Sequence, residues 1–337
     1  MEWMKCALPA RSRRKMTDVL SLNTFAWQRQ HILDIQNLST AEIELVMQTA
    51  DVMSKQINSP MKKSDALRGK TVITLFYEAS TRTRGSFEIA AKNLGADVIN
   101  VTMQSSSISK GESLINTLHT LEQIGADMIV LRHPLSGAHY CAAPYMQANL
   151  INAGDGWHAH PTQALLDLYT MRQHVCDLQG RKIVILGDIK HSRVAHSNIW
   201  CLSKMGAKIV LCAPPTLLPA GLENVRSCFP HVEVEHNIDK ALVGADVIMV
   251  LRLQKERMRG DLLPGTADFI CGYQLNAARL ELANPQAIVM HPGPVNEDIE
   301  LSAYVLRSPR SVIGEQVSNG VAVRMAILQL LNASKNQ

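Results

Sequence analysis

The sequence has no apolar run approaching the roughly 18 residues that a membrane-crossing helix requires. Its first fifteen residues carry Arg11, Arg13, Arg14 and Lys15 with no apolar stretch behind them, so neither a membrane segment nor a secretory leader is expected. The stretch before Met16 reads as a short basic tail, because Glu2 and the want of amphipathicity count against a transit peptide. A surplus of one charge is missing too. Lys and Arg number 34 against 30 Asp and Glu, a formal net charge of +4 over 337 residues, which excludes a broad nucleic-acid footprint. No two of the seven cysteines (Cys6, Cys141, Cys176, Cys201, Cys212, Cys228 and Cys271) are spaced as CxxC, and their number is odd. That pattern predicts reduced thiols in a cytoplasmic protein. GxGxxG is absent, which tells against a nicotinamide enzyme. His158-x-His160 has no nearby Cys and no third ligand in sequence, so no metal is expected. Tandem repeats and low-complexity linkers are lacking as well.

What is present is a chain 46% hydrophobic, long enough for two domains that each bury a core. Ser39 and Glu42 have capping-box spacing ahead of Ile43, Val46, Met47 and Ala50 on one helical face. Short apolar strands are predicted at Thr71 to Phe76, Asp97 to Val101, Asp127 to Leu131 and Asn149 to Asn152. Helices lie between them, at about Arg82 to Leu94, Ser113 to Ile124 and from Gly137. Strands that are apolar throughout and separated by helices imply a parallel sheet covered on both faces. After a helix at about Pro161 to Val175, the alternation restarts with strands at Lys182 to Leu186, Lys208 to Cys212, Val232 to Glu235, Val247 to Leu251 and Ala287 to Met290. The fold class is therefore α/β, with two doubly wound parallel-sheet domains joined by helices. The first spans residues 1–175, with a C-terminal helix at 314–337 packing back on it, and the second spans 176–313.

Ligands of parallel sheets gather beyond the carboxyl ends of the strands. Seven loops there carry chemistry. Glu78-Ala-Ser80-Thr81-Arg82-Thr83-Arg84 brings hydroxyls, guanidinium groups and the N–H groups of a helix start to one place, a seat for an anion such as phosphate. The polar loop Gln104 to Lys110 offers one mobile cation as a lid contact. Arg132 follows the third strand. His160, just ahead of the helix-opening Pro161, is either a capping residue or a donor to a developing oxyanion. Arg193, at the end of Gly187-Asp-Ile-Lys-His-Ser-Arg, and Arg252, in Leu251-Arg-Leu-Gln254-Lys-Glu-Arg257, either grip carboxylates or decorate the surface. The turn His291-Pro292-Gly293-Pro294 is either purely structural or a rigid presenter of carbonyl oxygens.

Taken in order, Ser80-Thr-Arg-Thr-Arg84, Ser106 with Lys110, Arg132, His160-Pro-Thr-Gln163, Arg193, Arg252-x-Gln254 and the His291-Pro-x-Pro turn resemble the carbamoyltransferase family, in particular its aspartate branch, from about Leu67 to Leu331. The resemblance implies a first domain for carbamoyl phosphate, a second for aspartate, and an active site in the cleft between them, with no metal or other cofactor. Ser80, Thr81, Arg82, Thr83 and Arg132 would then hold the phosphate, with Ser106. Thr83, Arg132 and His160 would polarise the carbamoyl oxygen, and Gln163 with the Pro292–Gly293 turn would bind the carbamoyl amide. Lys110, Arg193, Arg252 and Gln254 would hold the aspartate carboxylates. Glu78, with Arg193 or Arg257, would tie the domains together on closure. A homotrimer with shared active sites is implied, Ser106 and Lys110 reaching into a neighbour, and a dihydroorotase-like or regulatory partner subunit is suggested by Trp157-His158-Ala159 and the stretch Leu217 to Gly221. Ornithine carbamoyltransferase is the rival reading, but Arg252 and Gln254 would repel an ornithine ammonium, and Gly293 stands where that branch has Cys. A catalytically silent scaffold of a pyrimidine-pathway complex is the other, and the presence of every expected side chain tells against it. Glu297 and Asp298 stand where relatives commonly have Arg and then Gly, and are expected to face solvent, since inward carboxylates would repel an anionic substrate.

Overall fold

The computed structural model describes residues 27–102, 111–222, 225–254 and 265–334. The expected Ser106, Lys110 and Arg257 sites and the basic tail lie outside them. Strands are β1 (Thr71–Phe76), β2 (Asp97–Thr102), β3 (Met128–His133), β4 (Asn149–Asp155), β5 (Lys182–Leu186), β6 (Lys208–Cys212), β7 (Val232–Glu235), β8 (Val247–Val250) and β9 (Ile288–Met290). The helices of eight residues or more are α1 (Thr40–Ile57), α2 (Thr81–Asn93), α3 (Leu114–Gln123), α4 (Pro161–Val175), α5 (Arg193–Lys204), α6 (Thr266–Tyr273) and α7 (Ile313–Ser334).

The described residues pack into two compact units, one running to Asp155 and resuming at Asn319, the other Gly156–Ser318. The first holds a four-stranded sheet in the order β2-β1-β3-β4, the second a five-stranded sheet in the order β7-β6-β5-β8-β9. Every pairing is parallel. Central strands are buried almost end to end because both sheet faces are covered, as in Ile183 to Leu186 and Val247 to Val250. Ile73, Leu75, Ile129, Leu131 and Leu118 meet in the first core, and Val184, Leu186, Val210, Ile248 and Val289 in the second.

β4 runs three residues past its expected end. Polar Asn152 and Asp155 are both fully buried, and Asn152 Nδ2 donates to Asp155 Oδ1 at 2.9 Å and to the Leu33 carbonyl at 2.7 Å. Satisfied polar groups can stay inside a strand. By packing, α4, expected as the bridge between the sheets, goes with the second unit, where it lies against α5. The terminal helix α7 starts in the second unit and continues in the first, where Arg324 lies 5.1 Å over the buried Phe87 ring of α2. Cys176 caps α4. Cys141, Cys201, Cys212, Cys228 and Cys271 are free thiols.

Candidate active site

In each sheet the first strand of the unit has neighbours whose connections leave in opposite directions, β1 beside β3 and β5 beside β8. Loops beyond such switch points diverge and leave a crevice at the strand ends. Among the described residues, the segments at Glu78–Arg84 and Arg132 go with β1 and β3, and those at Gly187–Arg193 and Leu251–Gln254 with β5 and β8.

In the first unit the register sets Phe76 of β1 beside Arg132 of β3, and the Tyr77 N–H donates to the Arg132 carbonyl at 3.0 Å. Arg132 is thereby delivered to the loop that follows β1. Its Nε donates to Glu78 Oε2 at 3.0 Å, and both side chains are mostly buried. The sequence reading set Glu78 against Arg193 or Arg257; the contact to Arg132, within its own unit, was not foreseen. Ser80 is the extended N-cap of α2, and its hydroxyl makes no capping hydrogen bond. The first turn, Thr81-Arg82-Thr83-Arg84, holds no acidic residue. Thr83 is buried while Thr81 and Arg82 are exposed. A helix start that keeps its positive end uncompensated, ringed by hydroxyls and guanidinium groups, attracts anions. Next to Arg132, burial lowers the proton affinity of His133 below the ordinary histidine value; its Nδ1 accepts from the Leu135 N–H at 3.1 Å.

In the second unit His160 precedes α4. Its N–H donates to Ser197 Oγ at 2.8 Å, the residue is buried, and the imidazole makes no capping hydrogen bond. By position it is nonetheless the N-cap of α4. One turn on, Gln163 is buried and gives Nε2 to Asp167 Oδ1 at 2.8 Å. The turn His291–Pro294 is pinned from two sides: the His291 N–H donates to Gln316 Oε1 at 3.0 Å, and the Gly293 N–H donates to His291 Nδ1 at 2.8 Å. Glu297 and Asp298 are exposed, as expected. Glu297 pairs with Arg307 at 2.6 Å. Asp298 adopts a left-handed φ of 63° and accepts from the Ala303 N–H at 2.9 Å.

Arg193 opens α5 behind the N-cap Ser192. It is buried and donates to the Gly156 carbonyl at 3.3 Å, so it is no surface ornament. Arg252 is half-buried. The Arg252–Gln254 loop is stitched to the loop leading into Arg193: the Gln254 N–H donates to Asp188 Oδ2 at 3.2 Å, and its Nε2 to the His191 carbonyl at 3.1 Å. Asp188 is fully buried, and its Oδ1 also takes the His191 N–H at 3.2 Å and lies 2.9 Å from His191 Nδ1. Gly187 is required here. Its φ is +120°, and a Cβ would stand 2.8 Å from the Leu251 carbonyl oxygen. Sequence reasoning missed Asp167, Asp188 and Gln316. Asp167 was detectable, being one helical turn from Gln163; nothing near Gln316 in the chain announces its role.

A parallel-sheet unit with a hydroxyl-rich, cationic helix start and a second with guanidinium groups at its strand ends have the make-up of an enzyme that handles two anionic substrates. Comparison with known proteins narrows the class. Residues 30–173 match the aspartate/ornithine carbamoyltransferase carbamoyl-P binding domain, and 179–331 the Asp/Orn binding domain. The chain belongs to the aspartate/ornithine carbamoyltransferase family. It is 60% identical over 319 residues to the aspartate carbamoyltransferase catalytic subunit of Dehalococcoides mccartyi strain CBDB1, covering 95% of this chain and 96% of that one. Among solved structures it resembles Trypanosoma cruzi aspartate transcarbamoylase in complex with carbamoyl phosphate and aspartate, with a TM-score of 0.81, 33% identity, and coverage of 90% and 97%. It also resembles the M. Jannaschii aspartate transcarbamoylase catalytic subunit, with a TM-score of 0.79, 36% identity, and coverage of 90% and 98%.

Proposed function

We infer that the chain is an aspartate carbamoyltransferase, moving the carbamoyl group of carbamoyl phosphate to the amino group of L-aspartate with release of N-carbamoyl-L-aspartate and phosphate, a step of pyrimidine biosynthesis. One observation carries the choice of aspartate over ornithine. Buried Arg193 and the Arg252–Gln254 loop are stitched together in one unit, and their sign of charge suits a dicarboxylate and opposes a second ammonium.

Residues 1–175 with 314–337 serve the donor and 176–313 the acceptor in this reading, a division near the gap between the two family matches. The phosphate is held by Ser80, Thr81, Arg82 and Thr83 at the start of α2, by Arg132, and by Ser106. The neutral amine attacks the carbamoyl carbon as the C–N bond forms, the C–O bond to phosphate breaks, and the departing phosphate takes the amine proton. Negative charge gathers on the carbamoyl oxygen, where Thr83, Arg132 and His160 donate. Donors fixed beforehand by β3 and by the start of α4 need no reorganisation, and one such donor is worth about 3 kcal/mol. Gln163 and the Pro292 carbonyl beside Gly293 accept from the carbamoyl amide. Lys110, Arg193, Arg252 and Gln254 hold the aspartate, and alignment of amine and carbonyl contributes on the order of 7 kcal/mol. Glu78 and Arg257 serve closure. No covalent intermediate forms. The working enzyme is a cytoplasmic homotrimer with shared active sites, open to a dihydroorotase-like or regulatory partner.

The test is to supply the purified chain with carbamoyl phosphate and either amino acid. Carbamoyl-aspartate with stoichiometric phosphate is expected. Citrulline as the main product would transfer the chain to the ornithine branch, and neither product would make it a silent scaffold.

A further inference from the structure

We propose that Asp167 is a positioning residue that selects the carbamoyl group over other acyl groups by fixing which end of the Gln163 carboxamide faces the donor. The proposal rests on the reading of Gln163 and Pro292 as the acceptors for the carbamoyl amide, and deepens it.

Asp167 is fully buried on α4. Its Oδ1 accepts from Gln163 Nε2 at 2.8 Å and from Gln316 Nε2 at 2.6 Å, and its Oδ2 from Asn198 Nδ2 at 2.8 Å. A carboxylate has no donor to offer, so every carboxamide that faces it must do so through its NH2. For Gln163 this turns Oε1, the acceptor end, away from Asp167. Gln316 is oriented twice over, since its Oε1 takes the His291 N–H at 3.0 Å at the head of the turn that carries Pro292. One buried carboxylate thus sets an acceptor on α4 directly and anchors a second, the Pro292 carbonyl, through one bridging amide. A carbamoyl group differs from an acetyl group in bearing an NH2, whose two N–H groups need acceptors; a methyl group needs none. Without the carboxylate, Gln163 is released to flip and to set NH2 against NH2, leaving desolvated donors unpaired.

The test compares three ligands by titration calorimetry on the full-length protein: carbamoyl phosphate, acetyl phosphate and inorganic phosphate. Asp167→Asn, nearly isosteric, is expected to lose about tenfold in affinity for carbamoyl phosphate. Its affinities for acetyl phosphate and phosphate, and its KM for aspartate, should be unchanged. Equal weakening towards all three ligands, or wild-type affinity for all three, would overturn the proposal. If Asp167→Asn does not fold, Asp167→Ser, which also removes the carboxylate that orients Gln163, carries the same test, with selective loss of carbamoyl phosphate binding expected and uniform or absent loss contradicting it. A wild-type chain that fails to carbamoylate aspartate would defeat the underlying reading instead, so the two failures are distinguishable.

Discussion

Arg132 shows how much a single side chain is asked to do. It stands at the carboxyl end of β3, is held through Nε by Glu78, and in the proposed chemistry faces both the phosphate and the carbamoyl oxygen. Arg132→Ala should reduce kcat roughly a hundredfold, the equivalent of about 3 kcal/mol, while a largely unchanged thermal midpoint shows the sheet to be intact; Arg132→Lys should recover little, because a point charge cannot reproduce the guanidinium fork. The thiols give a second prediction. Burial pushes Cys201 and Cys212 up to about 12, so both should resist iodoacetamide in the native state while exposed Cys141, Cys228 and Cys271 react, as peptide mass spectrometry would show. Rapid labelling of Cys201 in folded protein would contradict that. At this scale the candidates legible in sequence are those at strand-to-helix junctions, such as Arg193 and His160. It did not find their buried supports, Asp188 and Gln316, because a polar residue's partners across the fold leave no local pattern.

At the scale of elements, α1 is the clearest case of a sequence pattern realised. Ser39 Oγ accepts from the Glu42 N–H at 3.2 Å, and Glu42 Oε2 takes the Ser39 N–H at 2.7 Å. Burial acts to raise the proton affinity of Glu42, but hydrogen bonds from Arg29 and Ser39 outweigh it and the net shift is downward. A carboxyl whose folded value lies below its unfolded one adds stability above the unfolded value, and that stability is lost as pH falls through the folded value. Ser39→Ala should cost about 1 kcal/mol in urea unfolding at neutral pH. The deficit should narrow in acid below the usual carboxylate range, and a pH-independent deficit would detach Glu42 from the cap. Strands were legible because continuous apolar runs bounded by turn residues have few alternative uses, and β1, β5, β6 and β7 fall where expected. The last three residues of β4 were not, since Asn152 and Asp155 pair inside the sheet rather than with water.

At the scale of the molecule the chain repeats one device: a parallel sheet whose strand order reverses, β1/β3 in one unit and β5/β8 in the other, with candidate site loops following those strands. That repetition was legible as two rounds of strand and helix. The assignment of α4 by packing was not, because its neighbours Asn198 and Gln316 are distant in sequence. If sites are shared in a trimer, mixing Arg82→Ala chains with Lys110→Ala chains should restore part of the activity that each lacks alone; no recovery in verified mixed trimers would confine each site to one chain.

The central claim is that the sign of charge in the second unit chooses the acceptor. The most direct measurement is the ratio of kcat/KM for aspartate to that for ornithine, in the wild type and in Arg252→Glu. Strong preference for aspartate is expected in the wild type, and collapse of that preference in the variant, through loss of aspartate activity. A wild type that carbamoylates both equally, or an Arg252→Glu variant with intact aspartate kcat/KM, would contradict it.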